Sequence, residues 1–131
     1  MTENVDFSFE RLNVYQAVRV LIKDVYMAQK QLPKEETYAL GDQIRRAAIS
    51  ISSNIAEGSG RSSWREKIHF IEISYGSLME LHSQIQLCAD LGYMDLATQA
   101  SLREQIINVA KMLSGLKTSF EKHLSPLTNN Q

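Results

Sequence analysis

An all-α fold, an up-down four-helix bundle with short loops, is the class this sequence predicts, and three observations carry that reading. Apolar residues recur at steps of three and four along most of the chain, and no run alternates strictly with period two. Pro33 and Pro126 are the only prolines, so about 90 residues run without the strongest helix breaker. The glycine- and serine-rich interruptions are brief, which suits antiparallel neighbours.

Residues 1–12 read as a polar and aromatic lead-in, with Phe7, Phe9 and Leu12 able to dock on a core. The first helix is predicted over 13–31, because Val14, Val18, Leu21, Val25, Ala28 and Leu32 form one continuous seam. Pro33 ends it and suits the first turn of a second helix over 34–57, where Glu35 and Glu36 meet the positive dipole end. Leu40, Ile44, Ala48, Ile51 and Ile55 face inward on that helix. Gly58-Ser59-Gly60 should close it, with glycine in the left-handed conformation of a C-cap. Ser63 and Glu66 read as a capping box opening a third helix over 63–91, which Leu91-Gly92-Tyr93 ends. Asp95 is a candidate N-cap for a fourth helix over 95–124, and Ser101 offers a second possible start. Leu102, Ile106, Val109, Leu113, Leu116, Phe120 and Leu124 make its seam, and 125–131 read as a polar tail. The whole of 1–131 is predicted to be one bundle domain.

Composition narrows the function classes. Fourteen Lys plus Arg stand against 15 Asp plus Glu, so the chain has no global attraction to nucleic acid. One cysteine cannot build a disulfide framework, which points to a reducing, cytoplasmic setting. The sequence has no run of about 18 apolar residues to span a membrane, and its acidic start lacks the order of a signal peptide.

The third helix carries more apolar surface than one seam requires. Ile68, Ile71, Tyr75, Leu78 and Ile85 form a stripe, while Phe70, Ile73, Leu81, Cys88 and Leu91 lie beside or behind it. Such an arc indicates a central core helix or a second interface, and a homo-oligomer would cover the excess. Small residues at Ala47, Ala48, Ser50, Ser52, Ser53 and Ala56 suit tight packing of the second helix. Close backbone approach would also explain Gly41, Gly76 and Gly115 inside predicted helices.

Catalytic spacing is not evident, and no cofactor is expected. Cys88 falls in an apolar register and reads as a core thiol. Glu66 and His69 match half of a dimetal carboxylate site, but no second Glu-x-x-His pair exists and Glu66 already serves as a cap. His82 reads as a hydrogen-bonded core residue and His123 as a solvated one. Gly58-Ser59-Gly60 follows a helix and lacks the lysine of a phosphate loop. The chain reads as a non-enzyme with no metal site.

The densest polar constellation comprises Arg45, Arg46, Asn54, Glu57, Arg61 and Arg65, around the second and third helices. Glu57 lies where a helix dipole disfavours an acid, so Arg61 or Arg65 should pair with it. The structural reading is a set of ion pairs and backbone contacts. The functional one is a patch for phosphate in which Lys67 joins the arginines, giving an RNA- or DNA-binding accessory module.

The string Gln43-Ile44-Arg45-Arg46-Ala47-Ala48, then Ser50-Ile51, Asn54-Ile55-Ala56-Glu57-Gly58 and Gly60-Arg61, resembles a known family. It is that of the four-helix proteins encoded in 23S rRNA intervening sequences, also labelled as ribosomal proteins. Leu32-Pro33-Lys34-Glu35-Glu36, Gly76-Ser77 with Glu80, and Leu91-Gly92-Tyr93 agree with it, and the resemblance covers about 7–124. Ser52 departs from it, standing where many relatives have proline, and implies a straighter second helix. The resemblance implies a bacterial, cytoplasmic bundle assembled as a ring-like homo-oligomer, a pentamer, with no reaction attached. A related branch, the accessory proteins of diversity-generating retroelements, is basic and binds reverse transcriptase and nucleic acid; this chain lacks that basic balance. The expectation is therefore a scaffold or adaptor, with nucleic-acid binding as the alternative.

Overall fold

The computed structural model describes residues 7–124; the start of the lead-in and the polar tail from 125 lie outside the described residues. Four helices follow in order: α1 (Asn13–Ala28), α2 (Leu40–Ser59), α3 (Trp64–Asp90) and α4 (Leu96–Glu121). No strand occurs among the described residues. Each helix packs on its chain neighbours, and α1 closes the bundle against α4. Cross-helix bonds give the directions. Asp24 accepts from Gln105 while Gln31 donates to Thr98, so α1 and α4 run antiparallel. Ser77 meets Ser50, while Lys67 reaches the carbonyl of Ser59, which fixes α2 and α3 as antiparallel too. The topology is up-down, with α1 and α3 on one diagonal.

The predicted seams are the observed core. Val14, Val18, Leu21, Val25 and Ala28 of α1 are buried, as are Ile44, Ala48, Ile51 and Ile55 of α2. Leu102, Ile106, Val109 and Leu113 complete the fourth side, with Leu116 and Phe120 half-buried against it. On α3 the core takes Ile68, Ile71, Leu78, Leu81, Ile85 and Cys88. Leu81 and Cys88, read from sequence as outside the main stripe, are wholly buried, and Tyr75, read as inside it, is 38% exposed.

Helix ends follow local chemistry. Ser63 Oγ accepts from the Glu66 amide, but the return bond differs from a full capping box: the hydroxyl itself donates to the Glu66 carboxylate. Asp95, not Ser101, caps α4, accepting from the Thr98 amide at 2.7 Å. That backbone bond, with a side-chain contribution from Thr98, holds the Asp95 carboxyl below its usual value. Gly92 ends α3 at φ 76°, and the Tyr93 amide returns to the Cys88 carbonyl at 2.8 Å while Gly92 N–H bonds Ala89. This double closure is a Schellman motif.

Several boundaries differ from the sequence reading: α1 ends at Ala28, with Gln29–Gln31 a 3-10 turn, α4 ends at Glu121, and both ends of α2 move. The second helix begins at Leu40, because Lys34–Glu36 form a separate 3-10 turn and Ala39 has φ −113° and ψ −96°. Arg45 pins this segment by donating to the Thr37 carbonyl, and Gly41 lets Glu36 pass, since a Cβ there would lie 3.1 Å from the Glu36 oxygen. The α2 terminus also differs. The helix runs through Gly58 to Ser59, and Gly60 caps it at φ −87°, so no left-handed glycine is used. Gly58 is needed for approach instead: a Cβ there would lie 2.7 Å from Cβ of Phe70.

Close contact between α2 and α3 is thus a sequence property. Ser74 Oγ donates to the Ile51 carbonyl at 2.7 Å, and the Ser50 and Ser77 hydroxyls meet at 2.8 Å. Small polar side chains let the backbones approach while leaving their own hydroxyls satisfied. Gly76 and Gly115 are different, because nothing lies within 4 Å of a Cβ at either. Packing inside the chain does not account for them.

Candidate functional site

The six residues singled out in the sequence divide into two groups on α2 and its exit. Arg45 and Arg46 lie in its first half, and Arg61 and Arg65 follow its C-terminus. Sixteen positions at 1.5 Å each set Arg45 and Arg61 roughly 24 Å apart along the axis.

Arg45 is a structural clasp. Its side chain is 20% exposed and donates to Gln29 Oε1 at 2.7 Å, Thr37 O at 2.9 Å and Asp42 Oδ1 at 3.1 Å. One planar guanidinium therefore ties the end of α1, the connecting segment and α2 together. Arg46 is 82% exposed and holds only a 3.6 Å pair with the other oxygen of Asp42. Arg45→Lys is expected to cost about 1–3 kcal/mol, because an ammonium cannot reach three acceptors in those directions. Arg46→Ala should stay within about 0.5 kcal/mol. Paired urea titrations check the contrast.

Around the α2–α3 turn, Glu57 pairs with Arg61 at 3.6 Å, and it is Arg61 rather than Arg65 that supplies the charge. Arg61 also lies over the Phe70 ring, 4.7 Å from its centroid. Asn54 donates to the carbonyl and hydroxyl of Ser50 within its own helix. Lys67 caps the C-terminal end of α2 through the Ser59 carbonyl at 3.0 Å, where a cation opposes the dipole. Arg65 is exposed. Of the six, Arg45 and Arg61 bridge elements, Asn54 and Glu57 bond locally, and Arg46 and Arg65 are exposed, so the constellation does not gather into one cationic surface.

The remaining chemistry-bearing residues are dispersed. No group of three His, Cys, Asp or Glu among the described residues could hold a metal ion. His69 lies edge-on to Phe70, and His82 is half-buried with Nδ1 lacking a hydrogen-bond partner within the described residues, unlike the satisfied histidine expected. His123 is exposed yet stacks on Trp64 at 3.9 Å, and Trp64 also meets Phe120 at 5.3 Å. This clasp ties the start of α3 to the end of α4.

Cys88 is buried in the core, where burial, and then the charge of Glu36, pushes its thiol up to about 11 from 9.0. A neutral buried thiol is a poor nucleophile. Its linkage to folding has a definite sign. The folded protein keeps the proton that the unfolded chain loses above pH 9, so this contribution is complete below pH 9 and lost as pH rises to about 11. Cys88→Ala is expected to flatten the fall in stability across that interval. An unchanged slope in denaturation titrations would contradict the assignment.

Sequence reading missed the arrangement of exposed apolar residues on α3. Ile73, Gly76, Glu80, Ser83 and Leu87, with Leu91 just beyond, step by three and four and are all exposed. They form a second stripe at helical spacing whose apolar members are Ile73, Leu87 at 49% and Leu91 at 58% exposure, with Gly76, Glu80 and Ser83 between them. The spacing was available in the sequence. Which side of a broad arc the bundle covers was not.

A comparison with known families matches residues 10–115 to the 23S rRNA-intervening sequence proteins. The chain belongs to the 23S rRNA-intervening sequence protein family. The match starts within Ser8–Arg11, a 3-10 turn that precedes α1, and takes in α1 to α3 and most of α4. It includes every residue of the six-membered constellation and the whole α3 seam. No curated protein matches the chain. The family description names where a sequence is encoded rather than a reaction, so chemistry must be argued from this member's own residues. No helix among the described residues of this member is long and apolar enough to cross a membrane.

Proposed function

We propose that this member of the 23S rRNA-intervening sequence protein family is a non-enzymatic, cytoplasmic homo-oligomer that acts as a scaffold or adaptor, with five copies the expected number. The observation that carries the reading is the uncovered seam on α3. Single exposed apolar residues are ordinary on a monomer. Here three of them, Ile73, Leu87 and Leu91, share one outward face at helical spacing over about 27 Å. Glycine at Gly76 and serine at Ser83 keep that seam shallow enough for a neighbouring backbone. Its apolar members are therefore best read as surface reserved for another copy.

Size exclusion with light scattering tests the reading at micromolar concentration. The mass is expected to be a multiple of the 14.9 kDa chain and to fall when Leu87 and Leu91 are both changed to Asp. A single-chain mass for the wild type would contradict it.

The alternative is an RNA- or DNA-binding module using Arg45, Arg46, Arg61 and Arg65. It has less support, since Arg45 and Arg61 are held by partners within the chain. Gel-shift binding at low salt that is lost on replacing Arg46 and Arg65 with Ala would favour it.

A further inference from the structure

Resting on the assembly just proposed, we infer that copies join head to tail, the basic groove between α1 and α2 of one copy seating the acidic α3 seam of the next. The groove has a volume of about 320 Å³ and is walled by Tyr15, Ile22, Tyr26 and Ile49, with Arg19 and Lys23 beside them. Tyr26 and Ile49 are 37% and 43% exposed, so the walls are open to a partner. Arg19 and Lys23 are both exposed, and neither forms an ion pair among the described residues. This surface thus combines an aliphatic and aromatic floor with positive charge that no carboxylate among the described residues neutralises; Arg19 donates to Gln16 at 3.2 Å.

The opposite character lies on α3. Not one Lys or Arg occurs between Ile68 and Leu102, whereas Glu72, Glu80, Asp90 and Asp95 do. Glu80 sits within the exposed seam, midway between Ile73 and Leu87, and Asp90 lies one position from Leu91. Ile73 and Leu87 match the aliphatic walls of the groove, and Glu80 and Asp90 match its cations. Gly76 adds a separate indication. A glycine inside a helix weakens it, and nothing in its own chain occupies the space a Cβ would fill. The position is exposed, so the seam is low there.

Helices α1 and α3 sit on a diagonal of the bundle, so these two faces of one copy cannot meet each other. A contact between unlike faces is heterologous and generates a ring when its rotation closes. The apolar walls favour a protein surface over a nucleic-acid strand, which would use the cations but leave Ile22 and Ile49 without a match.

The test uses charge reversal in the full chain, with far-UV circular dichroism as the check on folding. Arg19→Glu with Lys23→Glu, and separately Glu80→Lys with Asp90→Lys, are each expected to raise the dissociation constant on the order of tenfold or more. All four substitutions together restore opposite charges across the contact and are expected to recover the wild-type mass. Retention of the wild-type mass by either pair, or no recovery in the fourfold variant, overturns the inference while leaving an oligomer built through other surfaces. A monomeric wild type overturns the assembly itself. Should the reversals unfold the bundle, Gly76→Gln probes the same face: loss of the oligomer supports the contact, and an unchanged mass overturns it.

Discussion

Gly58→Ala is expected to destabilise the bundle by about 1–3 kcal/mol, whereas Gly115→Ala should stabilise it by roughly 0.5–1 kcal/mol. Both glycines are helical, so the gain in helix propensity is common to the two. They differ in what the added methyl meets. At Gly58 it would lie 2.7 Å from Phe70 Cβ, an atom fixed to the α3 backbone, so the helices must part or tilt. Parting them also stretches the bonds from Ser74 to the Ile51 carbonyl and between Ser50 and Ser77. At Gly115 nothing lies within 4 Å. Urea midpoints at one fixed chain concentration measure the contrast, because assembly would shift them with concentration. Equal signs for the two substitutions would refute close α2–α3 approach as the reason for Gly58.

Leu78→Ala should cost more, about 2–5 kcal/mol, with a fall in Tm on the order of 10 °C. Leu78 is 0% exposed on the inward face of α3, with Ile71 and Ile85 one seam step of seven away on each side. The truncation removes apolar contacts and leaves a cavity that helices held from both flanks cannot fully close. Leu91→Ala provides the control. That side chain is 58% exposed, so the change should leave the stability of the single chain within about 0.5 kcal/mol while weakening assembly, which alters apparent stability only in a concentration-dependent way. Calorimetry separates the two cases, and a Leu91 effect as large as that at Leu78 would mean the seam is already covered within the chain.

The fold was largely legible because its signals are local and periodic. The seams of α1, α2 and α4 could be written down from spacing, and Asp95, Ser63 and Gly92 marked helix ends through chemistry that acts within a few residues. What failed depended on tertiary context. Nothing between Pro33 and Leu40 announces a break, since the turn there is held by Arg45, a side chain reaching back from α2. Gly58 looked like a stop signal, but its role is set by Phe70 across the interface. The candidate site was less legible still. The Glu57–Arg61 and Asn54–Ser50 contacts are i,i+4 and within reach of sequence reasoning, whereas the engagement of Arg45 with Gln29 and the Thr37 carbonyl depends on how α1 and the connecting segment lie against α2. On α3 the apolar excess was visible, but its division between core and surface required the positions of the other helices.

Whether another copy covers the α3 seam is decided by native mass spectrometry of the full chain at micromolar concentration. A single dominant species is expected at a multiple of the 14.9 kDa chain mass, five copies being the expected number, and it should dissociate when Leu87 and Leu91 carry Asp. A dominant species of one chain in the wild type would contradict assembly.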